Sequence, residues 1–165
     1  MIKKVYVPKY LYPLADVLFN FIIFFISLVV LIPIAIYTKT APTVLIWQVI
    51  PALILVLLFT IGSGMMLSPL HVFFRDVEYL WNVMLLLIMY MSAIFYYPER
   101  LLQSGYYWVL KYNPLYCIID IFRGGILGYQ APLWDFVYAG VICVVTIVIG
   151  TAFFHKKQDE FILHI

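Results

Sequence analysis

Residues 44–97 read VLIWQVIPALILVLLFTIGSGMMLSPLHVFFRDVEYLWNVMLLLIMYMSAIFYY, two long apolar runs split by the charged cluster Arg75-Asp76-Val77-Glu78 directly after Val72-Phe73-Phe74. In a soluble domain such a cluster is an ordinary surface turn. Each flank here is long enough to cross about 30 Å of hydrocarbon as a helix, which takes roughly 20 residues. The charges therefore belong at a membrane face, where they pair with one another or dock on something outside the bilayer.

Composition places the whole chain in the same solvent. Its 165 residues are 66% hydrophobic and only 11% charged, with a mean hydropathy of +1.06. An ordinary globular domain is about half apolar and a quarter charged, so a water-soluble fold of this size has no place to bury so much apolar surface. A net charge of +2 is too small to point to nucleic acid. Cys117 and Cys143 lie in separate segments without a CxxC pair and read as small apolar side chains rather than a disulfide or metal site. No cleavable signal is expected: Lys3 and Lys4 lead into Pro8 and Pro13, and the first apolar run is too long for a signal core.

Outward from the quoted stretch, four apolar segments are expected to span as helices, at about 14–37, 44–70, 79–97 and 134–154. Pro33 and Pro51 are potential kinks, and Gly62 and Gly64 flank Ser63 where close helix packing is the better reading. With both termini inside, Lys3, Lys4, Lys9, Arg75, Lys156 and Lys157 face the cytoplasm, against Lys39, Arg100, Lys111 and Arg123 outside. That bias favours an N-in, C-in topology. Trp47, Trp81 and Trp134 fall near the expected interfaces, where amphipathic rings settle.

The segment 98–132 is too polar and interrupted for a fifth span, yet Tyr106 to Leu110 and Leu115 to Phe122 are strongly apolar. Two short helices split by Asn113-Pro114 make a re-entrant hairpin dipping into the outer leaflet; the alternative is a structured loop lying on the membrane surface. Asn113 is suited to cap a helix opened by Pro114, and Gly124, Gly125 and Gly128 are expected to end it. The fold class is therefore all-α integral membrane, one domain over 1–165, with four transmembrane helices and a re-entrant hairpin between the third and fourth.

Catalytic chemistry is not signalled. There is no G-x-x-x-x-G-K-[ST] and no G-x-S-x-G, and His71, His155 and His164 lack metal-ligand spacing. Asp16, Asp120 and Asp135 lie near interfaces rather than at mid-membrane, which argues against an ion-coupled carrier.

The block His71-Val72-Phe73-Phe74-Arg75-Asp76-Val77, then Ser92-Ala93-Ile94-Phe95-Tyr96-Tyr97-Pro98, Asn113-Pro114-Leu115 and Phe122-Arg123, resembles the membrane subunit of ABC-2 type exporters, in particular the polysaccharide and polyol-phosphate branch. Family members carry N-V-F-F-R-D-V before a span, S-P-I-x-Y-P at its end, and N-P-L and F-R beyond. This chain departs at Ala93, where the family often has Pro. The opening IKKVYVPKYLYPLADVL is similar to the family's cytoplasmic loop that touches the ATPase. The resemblance covers nearly the whole chain but begins before what would be the third span, so two N-terminal spans are expected to be missing.

What the resemblance implies is a permease subunit that exports a lipid-linked polysaccharide or teichoic-acid-like polymer across the bacterial cytoplasmic membrane. It implies a second permease copy and separate cytoplasmic ATPase chains that carry ATP and Mg, with no cofactor or metal on this chain. Lys3, Lys4, Tyr6, Pro8 and Lys9 are the candidate ATPase contacts, or else a positive-inside anchor. Arg75, Asp76 and Glu78 are an ion pair that locks the turn, or a second contact. Tyr96, Tyr97, Tyr106, Tyr107, Trp108, Tyr112, Asn113, Pro114 and Arg123 form the external hairpin and a possible glycan path. Tyr90 adds a further outer-half ring. Rival readings are an ABC-2 drug or lipid exporter, and a truncated, non-transporting membrane scaffold.

Overall fold

The structure, a computed structural model, describes residues 10–37, 44–74, 76–96 and 107–158. Among these, every regular element is helical: α1 (Leu11–Val29), α2 (Leu31–Tyr37), a 3-10 turn (Val44–Gln48) running into α3 (Val49–Phe73), α4 (Val77–Met91), α5 (Tyr107–Lys111), α6 (Pro114–Leu127) and α7 (Leu133–Lys157). Three stretches are long and apolar enough to cross a membrane: Leu11–Ala35, Val44–Phe73 and Leu133–Lys157. They coincide with the expected first, second and fourth spans.

Proline explains the interruption of the first stretch. A Pro ring clashes with the carbonyl four residues back, which for Pro33 belongs to Val29, and α1 ends at that residue. Pro51 sits in the first turn of α3, where no amide donor is needed, and leaves that helix intact.

The expected third span, 79–97, is shorter as a helix. The α4 helix has 15 residues and ends at Met91; at 1.5 Å per residue it rises about 22 Å, less than the hydrocarbon thickness. One local feature ends it: Ala93 adopts φ 50°, a left-handed conformation that no α-helix can continue through. Just before it, the Ser92 hydroxyl donates to the Ile88 carbonyl at 2.7 Å.

The α3–α7 pair makes the most extensive contact, and α6 packs against both. Glycine permits the closest approach. A Cβ on Gly62 would lie 2.8 Å from the Thr146 carbonyl carbon and the Ile147 nitrogen, and one on Gly150 would meet the Gly62 carbonyl oxygen. Ala52, Cys117, Ile118, Ile121, Ala139 and Cys143 close the core around this crossing. Cys117 and Cys143 are both buried free thiols. Helix α1 leans on α3, with Val17 Cγ2 3.0 Å from where a Gly64 Cβ would stand. At the ends of α3 and α7, the Lys157 ammonium lies 5.1 Å from the Phe73 ring centre, in cation–π range.

Candidate functional site

The polar contacts of the chain converge where the end of α4 meets α5 and α6. Asn113 has an extended backbone and caps α6: its Oδ1 accepts from the Leu115 amide at 3.0 Å and the Tyr116 amide at 3.5 Å, with Pro114 at the first helical position. Its other amide atom works across the chain. Asn113 Nδ2 donates to the Met91 carbonyl at 3.2 Å and to Ser92 Oγ at 3.4 Å.

Ten residues on, and on the same helix, Arg123 Nη2 donates to the carbonyls of Ala93 at 2.9 Å and Ile94 at 3.3 Å. Both carbonyls lie in the turn just past the end of α4, whereas the Met91 carbonyl that Asn113 takes is one that the helix end leaves without an intrahelical partner. One helix thus ties down the turn that follows another. Ala93, Leu110 and Tyr116 are buried together beneath it, with Tyr96 packed against them.

The far end of α6 is held by its glycines, in two different ways. Gly128 takes φ 81° and ends the helix, its amide donating to the Gly124 carbonyl. Gly124 and Gly125, expected to help end the helix, lie inside it and serve packing instead. A Cβ on Gly125 would be 2.7 Å from Val49 Cγ2, and one on Gly124 would be 2.6 Å from the Tyr129 carbonyl oxygen.

Of the other expected site residues, Trp108 and Tyr112 are exposed, at 61% and 56%. Tyr107 opens α5. Asp76 is exposed and precedes α4, and Glu78 is exposed in its first turn, where a negative charge complements the helix dipole. Lys3, Lys4, Tyr6, Pro8, Lys9, Arg75, Tyr97 and Tyr106 lie outside the described residues.

Several contacts were not legible in the sequence. Tyr138, in the second turn of α7, donates its hydroxyl to the Tyr112 carbonyl at 2.8 Å and stacks on Trp134 with ring centres 5.7 Å apart. Lys111 Nζ lies 5.3 Å from the Trp134 ring centre. The result is a continuous cluster of Tyr112, Tyr138, Trp134 and Lys111. Tyr129 donates to Asp120 Oδ1 at 2.8 Å; partial burial and this bond push the Tyr129 hydroxyl above its ordinary pKa. Asp135, 5% exposed in the first turn of α7, is within electrostatic reach of Cys117, Asp120 and Lys111. Gln48, fully buried, accepts the Ala131 amide at 3.2 Å across 83 positions of sequence. Trp134, Asp120 and Asp135 were expected near the interfaces and Lys111 outside, but nothing in the sequence told which partners they meet; Gln48 was not singled out at all.

Chemically, this arrangement holds backbone and presents aromatic faces. Among the described residues no group of three His, Cys, Asp or Glu side chains is placed to hold a metal ion. Among the same residues, the hydrogen bonds do not bring together a nucleophile, a base and an orienting group, the arrangement covalent catalysis needs.

Residues 5–127 match the profile of the ABC-2 type transporter family. Two curated relatives, each described as an O-antigen export system permease protein RfbA from Klebsiella pneumoniae, are 27% identical over 166 residues and 25% identical over 169. Each alignment covers 98% of this chain and 62% of the relative, so the chain spans less than two thirds of the length of the proteins it matches. No solved structure matches the chain. A profile match over most of the sequence, through the charged cluster, the turn after α4 and the capped helix α6, places this chain in the ABC-2 type transporter family.

Proposed function

We propose that this chain is the membrane-spanning permease part of an ATP-driven exporter that moves a lipid-linked polysaccharide or teichoic-acid-like polymer across the bacterial cytoplasmic membrane. The observation that carries this reading is the alignment of 98% of the chain with two O-antigen export permeases. In this reading the chain crosses the membrane four times. The α4 segment reaches the outer face through residues beyond its helical part, and α5 and α6 form a re-entrant hairpin on that side. Both termini are cytoplasmic. ATP and Mg act on a separate ATPase chain beneath, and two permease copies form the path.

The exposed rings of Trp108 and Tyr112, beside the Trp134–Tyr138 stack, offer flat apolar faces suited to sugar rings. Asn113 and Arg123 hold that surface to the end of α4, with Tyr96 packed beneath and Pro114 opening the capped helix. On the cytoplasmic side, Lys3, Lys4, Tyr6, Pro8 and Lys9 read as a basic and aromatic sequence suited to an ATPase groove, and Arg75, Asp76 and Glu78 either pair with one another to lock the turn or add a second contact.

Co-purification with the ATPase tests the partner. Wild-type chain is expected to hold the ATPase in detergent, and Lys3→Glu, Lys4→Glu and Lys9→Glu together are expected to release it. Retention of the ATPase by the triple variant overturns the docking segment. Cargo is tested by polymer display at the cell surface: export that persists without the permease, or a transported substrate that carries no sugar, removes the polysaccharide reading.

A further inference from the structure

Where α5 meets the first turns of α7, charge is sorted by side. Asp135, 5% exposed, turns inward to Cys117 and Asp120 of α6, and Asp120 is itself held by the Tyr129 hydroxyl. Arg123 gives its guanidinium to the Ala93 and Ile94 carbonyls. Lys111 differs from all of these. It is exposed in the last turn of α5 and makes no ion pair among the described residues. Its ammonium rests instead 5.3 Å from the Trp134 ring centre. The rings beside it form one platform. Trp134, 45% exposed, lies nearly parallel to Tyr138, with 12° between their planes, and Tyr138 meets Tyr112 edge-on with centres 6.0 Å apart. Trp108 adds an exposed ring one turn before Tyr112, a spacing that puts 108, 111 and 112 on one side of the helix. A snorkelling lysine sends its charge out to water; this one lies back over an indole.

We propose that Lys111 is a specificity-determining residue: with the Trp134–Tyr138–Tyr112 platform, it selects sugar units that carry an anionic group, phosphate or carboxylate, over neutral ones. The inference rests on the reading of this chain as a glycan exporter. Rings of this kind take the C–H faces of a sugar. The ammonium, kept beside them by its cation–π contact, meets an anion on the same sugar. The nearby carboxylates that would otherwise neutralise it are turned into the protein. A neutral sugar gains nothing from this cation that the rings do not already supply.

The test is calorimetric binding to the permease with its ATPase in phosphatidylcholine nanodiscs. The probes are a maltooligosaccharide, its phosphorylated form and an oligogalacturonate of matched length. Wild type is expected to bind the two acidic probes about fivefold more tightly than the neutral one, the upper range for a partly exposed charge pair, with the gap narrowing as salt is raised. Lys111→Gln is expected to bring the acidic probes down to the affinity of the neutral one, at a near-wild-type thermal midpoint because the side chain is exposed. Lys111→Arg is expected to keep the gap, since a guanidinium also lies on aromatic faces. Equal binding of acidic and neutral probes by wild type, or a gap that survives Lys111→Gln, overturns the proposal and leaves the exporter reading standing. Failure of all three probes to bind removes the sugar surface itself, and the proposal with it. A soluble short-chain phosphatidylglycerol separates the two sources of an anion. It is expected to bind more weakly than the phosphorylated sugar; tighter, Lys111-dependent binding makes the ligand a lipid headgroup and also overturns the proposal.

Discussion

Arg123 and Ala93 meet at a point where backbone geometry and side-chain chemistry depend on each other. Ala93 holds φ 50° and is fully buried, and its carbonyl takes the Arg123 guanidinium at 2.9 Å. A Cβ in the left-handed region costs roughly 1–2 kcal/mol, so the guanidinium is helping to hold a strained residue. Arg123→Ala is expected to cost about 1.5–3 kcal/mol, the range for hydrogen bonds to a charged group, seen as a lower thermal midpoint in detergent; Arg123→Lys is expected to recover part of it. At the other partner, Ala93→Gly relieves the left-handed penalty and is expected to raise the midpoint slightly. Ala93→Pro is expected to lower it sharply, because a pyrrolidine ring fixes φ near −65° and cannot adopt this backbone. The family pattern has Pro where this chain has Ala93, and here the turn is made by a left-handed residue and an arginine instead. Sequence could show the departure but not the replacement device, since φ is not written in a residue's name.

At the scale of elements, the α3–α7 crossing shows what glycine does in two different settings. Gly62 and Gly150 approach backbone to backbone, and any Cβ there drives the helices apart. Gly150→Ala is expected to destabilise by about 1–3 kcal/mol, the usual cost of overpacking a close interface. Gly140 is the control on the same helix: a Cβ there meets nothing within 4 Å. Gly140→Ala is therefore expected to be neutral or stabilising by up to about 1 kcal/mol through helix propensity. Paired thermal melts of the two variants check the contrast, and equal losses would deny the special role of the crossing. Gly62 was legible beforehand as a packing position because it sits beside Ser63 and Gly64 in an apolar run. Gly150 was not, because only the crossing geometry tells which face of α7 meets α3. Asn113-Pro114 was the most readable local feature, since a cap and its proline are adjacent in sequence and act over two residues. The Asn113 bond to Met91 and the Gln48 bond to Ala131 were opaque for the opposite reason: each joins segments whose proximity depends on the whole bundle.

For the whole molecule, the question the amino acids address most directly is which way the bundle faces. Helix α7 is 25 residues long, about 37 Å at 1.5 Å per residue, enough to cross the hydrocarbon once with both ends at an interface. Its last turn carries His155, Lys156 and Lys157, and the two lysine cations there complement the helix dipole and the cytoplasmic bias of basic residues. Its first turns carry Trp134 and Tyr138, stacked and joined to Tyr112, as expected where amphipathic rings settle at the opposite interface. The α3–α4 elbow, with Asp76 and Glu78, lies by connectivity at the same end as Lys157, whose ammonium rests over Phe73. Trp108 is on α5 at the other end, near Tyr112 and Tyr138. Under the proposed N-in, C-in orientation, a Trp108→Cys variant in intact cells is expected to react with a membrane-impermeant maleimide. Glu78→Cys is expected to react only after permeabilisation. Cys117 and Cys143 are buried and supply the low background this measurement needs. Labelling of Glu78→Cys from outside, with Trp108→Cys protected, would reverse the orientation and move the ATPase-facing and cargo-facing surfaces to opposite ends of the same helices.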